Sequence, residues 1–296
     1  MNKIKEISAK LQQSFKNNVL PKLKTLLEKD ITKKVLKILG IMLVIAVLIF
    51  GSVKLYSFSK TAYLRPYVEK YKIEYPEGIL EEMCDAYGKD QSILGRLEIE
   101  DMNYTTNISS IIQNDAAFFE NGTKVDEEQH FRSVRVNRKD VDLEELYSNR
   151  RSFLNSSQSV KLTTLFSKEE YRVVAAFYTN TNPEDDNGYV FPYDFCGNMN
   201  EKDFKAFEDR IIHRTIYNTG YEFSPEDYFL SLSAPSDFME DFRFIVVCVK
   251  TGKRGFDKSK TATPNEKIHY PQVWYDKNHQ DNPYIFAGKW YPKGYK

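Results

Sequence analysis

A thiol or hydroxyl becomes a useful nucleophile when a neighbouring base takes its proton and a fixed positive charge steadies the oxyanion that forms. Few residues of this chain can enter such a scheme. Cysteine occurs three times, at Cys84, Cys196 and Cys248. Cys248 lies in the apolar run Phe244-Ile245-Val246-Val247-Cys248-Val249, where a buried structural thiol is expected. Cys196 lies in the polar stretch Tyr193-Asp194-Phe195-Cys196-Gly197-Asn198 and is expected to be accessible. Ser231, Ser233 and Ser236 surround Pro235, and Arg243 follows Pro235 by eight residues. On a regular strand Ser233 shares the face of Pro235, whereas Cys248, five residues past Arg243, points the other way. A serine without a positioned base is a poor nucleophile at neutral pH, and no base is evident.

Metal chemistry has little support. No Cys-x-x-Cys or His-x-x-x-His pair is present, and the odd cysteine count gives no disulfide framework. The loop Glu184-Asp185-Asp186-Asn187-Gly188 faintly resembles a calcium loop, but Pro183 would take the first ligand position, so a solvated turn is expected. No metal and no cofactor are expected. Lys+Arg and Asp+Glu are both 42, a balance that argues against a nucleic-acid partner.

The elements that must position these residues read as mainly β. Leu94-Gly95-Arg96-Leu97-Glu98-Ile99 alternates with period two, as do Val134 and Val136. Tyr171 to Tyr178 and Phe242 to Val249 are strand candidates. Lys202 to Tyr217 reads as a helix with Phe204, Phe207, Ile211 and Ile212 on one face, ended by Asn218-Thr219-Gly220. The abundance of Tyr and Phe, 20 of each, suits a folded β-rich domain.

The N-terminal region is different. Ile38 to Val53 carries no charge, and with its flanks gives a span of about 20 residues, long enough for a bilayer core. Residues 1–37 hold ten lysines against Glu6, Glu28 and Asp30, which orients the N-terminus to the cytoplasm and the rest outside. The apolar run starts late and lacks a small-residue cleavage site, so an uncleaved anchor is expected. The organisation that follows is a basic amphipathic segment over 1–34, a transmembrane helix over 35–56, a helical stalk over 57–90, a β domain over 91–255 and an aromatic extension over 256–296. The lysine-studded stripe of residues 1–34 fits either a helix lying on the anionic inner leaflet or an ordinary cytoplasmic tail.

From about Ile93 to Gly255 the chain resembles the class B sortases. These membrane-anchored transpeptidases join proteins to the cell wall of Gram-positive bacteria. Gly95-Arg96-Leu97-Glu98-Ile99 is similar to the family's first strand. Asn107 to Asp115 with Phe118-Phe119 resembles its "pVvQ…D…YY" segment, and Leu143 to Tyr147 its short helix after the catalytic histidine. Ser231-Leu232-Ser233-Ala234-Pro235 resembles the signature Thr-Leu-Ser-Thr-Cys, and Arg243-Phe244-Ile245-Val246-Val247 the arginine strand.

The resemblance implies a closed β-barrel of about eight strands with peripheral helices, and a site of cysteine nucleophile, histidine acid/base and oxyanion-steadying arginine. Here Pro235 stands at the nucleophile position, and a proline offers neither a nucleophilic atom nor a backbone N–H. The histidine should follow Tyr-Gly and precede an asparagine. The corresponding stretch, Phe131 to Arg138, holds neither, and only Asn137 marks the position. His130 precedes the strand that should deliver the base. Arg243 is retained. The sequence therefore favours a membrane-anchored, extracellular module without catalysis. Its expected partners are the plasma membrane and a sorting-signal peptide, a pilin or an active sortase. Ser231, Ser233, Arg243 and Cys196 would line its binding groove. The alternative is an active transpeptidase or peptidase rebuilt on Cys196 or a serine. The aromatic tail would pack on the barrel or across the vacant groove.

Overall fold

A computed structural model describes residues 12–28, 30–109, 130–252 and 258–295. The chain divides into two compact units, one ending at Pro66 and one starting at Tyr67.

The first unit is helical: a π-helical turn at Phe15–Val19, α1 over Leu20–Glu28 and α2 over Asp30–Thr61. Within α2, Lys33–Ser52 has a mean hydropathy of 2.6, and none of it is buried. A helix that is apolar all round cannot hide its side chains against one neighbour. Its 20 residues match the thickness of a bilayer, as a membrane anchor or a signal sequence would. The amphipathic stripe expected over residues 1–34 begins outside the described residues.

The second unit is mainly β with peripheral helices. Its strands are β1 (Ile93–Ile99), β2 (Tyr104–Ser109), β3 (Phe131–Arg135), β4 (Ser159–Thr164), β5 (Lys168–Asn180), β6 (Tyr217–Asn218), β7 (Phe229–Ser236), β8 (Phe242–Lys250) and β9 (Thr263–Pro264). Seven of them form one sheet in the order β2-β1-β4-β5-β8-β7-β3, while β6 and β9 make a separate ribbon. All neighbours are antiparallel except β3, which runs parallel to β7. Among the described residues β2 and β3 are therefore free edges, and closure is that of a half-barrel rather than a sealed barrel of eight strands. Residues 110–129, between these edges, lie outside the described residues, and with them most of the segment Asn107 to Phe119 singled out above.

The sheet is strongly curled. Arg132 of β3 pairs with Glu169 of β5 at 2.5 Å although β7 and β8 lie between them. Three strand spacings amount to about 14 Å on a flat sheet, too far for two side chains standing side by side. Tyr171 donates to the same carboxylate at 2.7 Å, and Lys250 reaches it at 2.9 Å. Burial alone would raise the Glu169 carboxyl, but Arg132, Tyr171 and Lys250 hold it below its ordinary range.

Alternation along the strands builds two cores. Leu230, Leu232 and Ala234 of β7 join Leu97, Val134, Tyr171, Phe244 and Cys248 inside the curl. The other face of β7 and β8, with Phe229, Ile245 and Val247, is covered by Phe204, Phe207 and Ile211 of a helix at Glu201–Arg214. That helix is capped by the Asn200 side chain, which accepts from Asp203 N. It ends at Arg214 rather than Tyr217, because Tyr217 leaves to pair with β9. Past Tyr67 the presumed stalk belongs to the compact unit, since Met83 and Cys84 in the helix Glu81–Lys89 are fully buried. The tail after residue 256 is part of the same unit too: Tyr275 and Trp290 are buried, and Thr263–Pro264 forms β9.

Candidate functional site

The face of β3, β7 and β8 that carries the sequence-selected residues can be read from strand register. Residues paired across a ladder present their side chains to the same side. Pro235 pairs with Arg243, Ser233 with Ile245 and Ser231 with Val247. On the other flank Arg135 pairs with Ser233, and Ser133 with Ser231. Ser231, Ser233, Pro235, Arg243, Ser133 and Arg135 thus share one surface, two strand spacings wide.

Pro235 sits past the end of β3, where β7 has only β8 beside it among the described residues. A proline is tolerated at such an edge because no ladder donor is needed there. It is exposed. Arg243 lies half-buried beside it, and its Nη2 donates to the Ser233 carbonyl at 2.9 Å. Its guanidinium carbon lies 6.0 Å from the centre of the Tyr193 ring. Asn137 follows β3 closely: the preceding residue, Val136, donates from N to Ser233 O at 2.8 Å. The Asn137 side chain is engaged in its own turn, with Oδ1 accepting from Lys139 N at 3.0 Å. An amide has no proton-accepting nitrogen, so it cannot replace an imidazole as general base.

The remaining candidates are placed elsewhere. Cys196 is exposed and next to Gly197, which exchanges two backbone hydrogen bonds with Phe131. Phe131 pairs with Phe229, so this thiol is anchored at the far end of β7, about 20 Å from Pro235 at about 3.3 Å per residue. His130 lies at the same far end: its carbonyl accepts from Phe229 N at 2.7 Å, and its ring stands edge-on to Tyr228 at 4.7 Å. Cys248 is buried inside the curl, on the opposite face, and burial pushes its thiol well up. Ser236 Oγ accepts from Phe238 N at 3.0 Å in the turn after β7. The acidic loop is a tight turn over Pro183–Asp186 in which Asp186 Oδ1 accepts from Gln272 N. No group of three or more His, Cys, Asp or Glu side chains suited to a metal ion occurs among the described residues.

The strip between Phe229 and Pro235 is roofed by the segment Tyr189 to Met199. Ser231 Oγ donates to Tyr193 O at 2.9 Å and so pins the roof to the strand. Arg135 Nη2 donates to Asp194 Oδ2 at 2.8 Å, and Tyr295 OH donates to Asp194 Oδ1 at 2.8 Å. Burial disfavours the Arg135 charge, but Asp194 outweighs it and the guanidinium is reinforced. Burial pushes the Tyr193 and Tyr295 phenols up. Two hydroxyls beneath the roof, Ser133 Oγ and Ser233 Oγ, are buried and find no hydrogen-bond partner among the described residues. The roof is itself held by the tail. Trp290 packs on Phe191 at 5.7 Å and Phe207 at 6.0 Å, and Tyr189 OH donates to Trp290 O at 3.2 Å. A narrow aromatic crevice lies between Phe131, Phe195, Met199 and Ser231, with space for about one water-sized molecule.

Sequence reasoning did not find Arg135, Asp194, Tyr193 or Ser133. Their partners lie up to 101 residues away in the chain, and no local period marks them.

No family model matches the chain. No curated protein matches it either. Solved structures do. The chain is similar in fold to sortase B from Bacillus anthracis, with 15% identity and a TM-score of 0.47 over 68% of this chain and 98% of that one. It is similar to Clostridium perfringens sortase B, with 12% identity and a TM-score of 0.46 over 57% of this chain and 98% of that one. A Staphylococcus aureus sortase B–substrate complex gives 14% identity and a TM-score of 0.47 over 65% of this chain and 93% of that one.

Proposed function

We propose that this chain is a class B sortase-like protein without the family's chemistry. It is held at the cell surface by the apolar helix around Lys33–Ser52 and acts there as a binding or scaffolding module. The observation that carries this reading is the pairing of Pro235 with Arg243. The oxyanion-steadying charge stands in register with a residue that has no nucleophilic atom. Beside it Asn137 is committed to a turn, and Cys196 is anchored at the far end of the strand. The lysine-rich N-terminus supports a cytoplasmic start and an extracellular β unit. A sorting-signal peptide, a pilin or an active sortase is the partner this reading anticipates.

The test uses the full chain in lipid nanodiscs against a panel of sorting-signal peptides, with binding read by fluorescence anisotropy and cleavage by mass spectrometry in the same tubes. Saturable binding with intact peptides is the expected result. Cleavage above the peptide-only control overturns the non-catalytic reading. Absence of both overturns the peptide-binding role and moves the partner contact to another surface of the β unit.

A further inference from the structure

The roof over the strip makes contacts that a ligand would make. Tyr193 and Asp194 present an aromatic ring to Arg243 and a carboxylate to Arg135. The ring-to-guanidinium contact is of the cation–π kind, and the carboxylate contact is a charge-assisted hydrogen bond. The segment is also fixed by its backbone, through Ser231 Oγ to Tyr193 O, as an extended peptide would be. Beneath it two hydroxyls, Ser133 at 1% exposure and Ser233 at 0%, lack hydrogen-bond partners among the described residues. A buried hydroxyl without a partner costs free energy, so a surface carrying two of them has unused capacity to bind polar groups. The Asp194 contact with Arg135 is partly open to solvent, with side-chain exposures of 29% for Arg135 and 20% for Asp194. Phe191 and Phe195 on either side are buried in the outer core, so exchange of this contact lifts Tyr193 and Asp194 between two fixed anchors.

We propose that Arg135 and Arg243, over the buried hydroxyls of Ser133 and Ser233, form a binding site for an extended peptide carrying an aromatic residue followed by a carboxylate side chain. The chain's own Tyr193-Asp194 fills that site as an internal competitor. The proposal rests on the reading of this strip as a peptide-binding groove and adds the chemistry of the peptide. Arg135 selects the carboxylate, Arg243 receives the aromatic face, and the hydroxyls take backbone polar groups. Tyr295, which donates to the second oxygen of Asp194, sets how firmly the internal competitor is held.

The probe is a doubly capped hexapeptide with the sequence of residues 190–195, Val-Phe-Pro-Tyr-Asp-Phe, and the same peptide with Asn replacing Asp. Binding to the full chain in nanodiscs is measured for wild type, D194N, Y295F and D194N/R135Q. D194N is nearly isosteric, and an unchanged near-UV circular dichroism spectrum checks its fold. The expected result is that D194N binds the Asp peptide at least about tenfold more tightly than the Asn peptide, the scale of one hydrogen bond to a charged group. Wild type binds both weakly, Y295F binds the Asp peptide more tightly than wild type, and D194N/R135Q loses the preference. Equal affinity of D194N for the two peptides, no binding by D194N, or wild-type affinity equal to that of D194N each overturns the proposal. Cleavage of a sorting-signal peptide sinks the non-catalytic reading and leaves the Asp-over-Asn preference to be judged separately.

Discussion

Lowering the pH from 7 to 5 removes stability from the β unit through one buried imidazole. His269 is 8% exposed, and its ring lies flat on Tyr284 at 4.3 Å. Arg214 Nη1 is 3.2 Å from His269 Nδ1, so the guanidinium donates and the ring nitrogen accepts. The proton of the neutral ring then sits on Nε2. Burial, and next the Arg214 charge, with Arg210 and His213 adding to it, lower the His269 pKa to about 3. An unfolded histidine titrates near ~6.5. The unfolded chain therefore takes the proton first, and stability falls as pH drops below ~6.5, continuing towards the folded value. Between pH 7 and pH 5 the linkage integral for this single site amounts to about 2 kcal/mol. For a unit of this size that is about 4–8 °C in melting temperature. The assay is thermal unfolding of the detergent-solubilised chain, followed by near-UV circular dichroism, for wild type and H269Q. Glutamine keeps an oxygen acceptor for Arg214 but does not titrate. The half-buried Asp186 carboxyl, raised by desolvation, works in the opposite direction and is common to both chains. Wild type should lose about 4–8 °C more than H269Q on acidification. An identical pH response in the two chains, or a wild type that gains stability at pH 5 relative to H269Q, refutes the reasoning.

Other substitutions probe the roof and the vacant position. Replacing Trp290 by alanine removes the ring that clamps Phe191 and Phe207 and should cost about 3–5 kcal/mol in urea unfolding; a loss below about 1 kcal/mol would mean the tail is not part of the folded unit. In a C196A background, P235C places a thiol in register with Arg243. Its iodoacetamide labelling should show a midpoint below the ordinary ~8.5, moving up in P235C/R243A. A midpoint unaffected by R243A would put the arginine on the wrong side of the strand. E169Q weakens the carboxylate that joins Arg132, Tyr171 and Lys250. Because its folded pKa is depressed, the wild-type advantage over E169Q should be present at pH 7 and fade as pH falls through and below ~4.3, read by urea midpoints at pH 7 and 3.

Local patterns in the sequence were enough to find four of the nine strands, β1, β3, β5 and β8, and the main helix of the β unit. The period-two run around Leu97 and the apolar runs at Tyr171 and Phe242 are strands, and the helix ending near Arg214 differs from its expected bounds by a few residues. Placing Cys248 on the opposite face from Arg243 needed only strand parity, and burial in the inner core agrees with it. What depends on pairing at long separation was not legible. The parallel match of β3 with β7 joins residues 98 apart, such as Phe131 and Phe229, and nothing local specifies it. The same limit hid the contact of Arg135 with Asp194 and the crossing of the curl by Arg132 to Glu169. Packing of the aromatic tail on the β unit was expected from its Trp and Tyr residues, but not which face it covers. The packing of Trp290 and the buried Tyr275 have a physical cause: the outer sheet face needs an apolar cover that one helix does not complete.

The central claim is that the strip beside Arg243 binds without reacting. The measurement that tests it most directly is turnover of a sorting-signal peptide by the full wild-type chain in nanodiscs, with a C196A variant alongside and an acceptor amine present, resolved by mass spectrometry. The account predicts intact peptide at the level of the enzyme-free control in both chains. Turnover by wild type that disappears in C196A would contradict it and show that the exposed thiol reaches the groove.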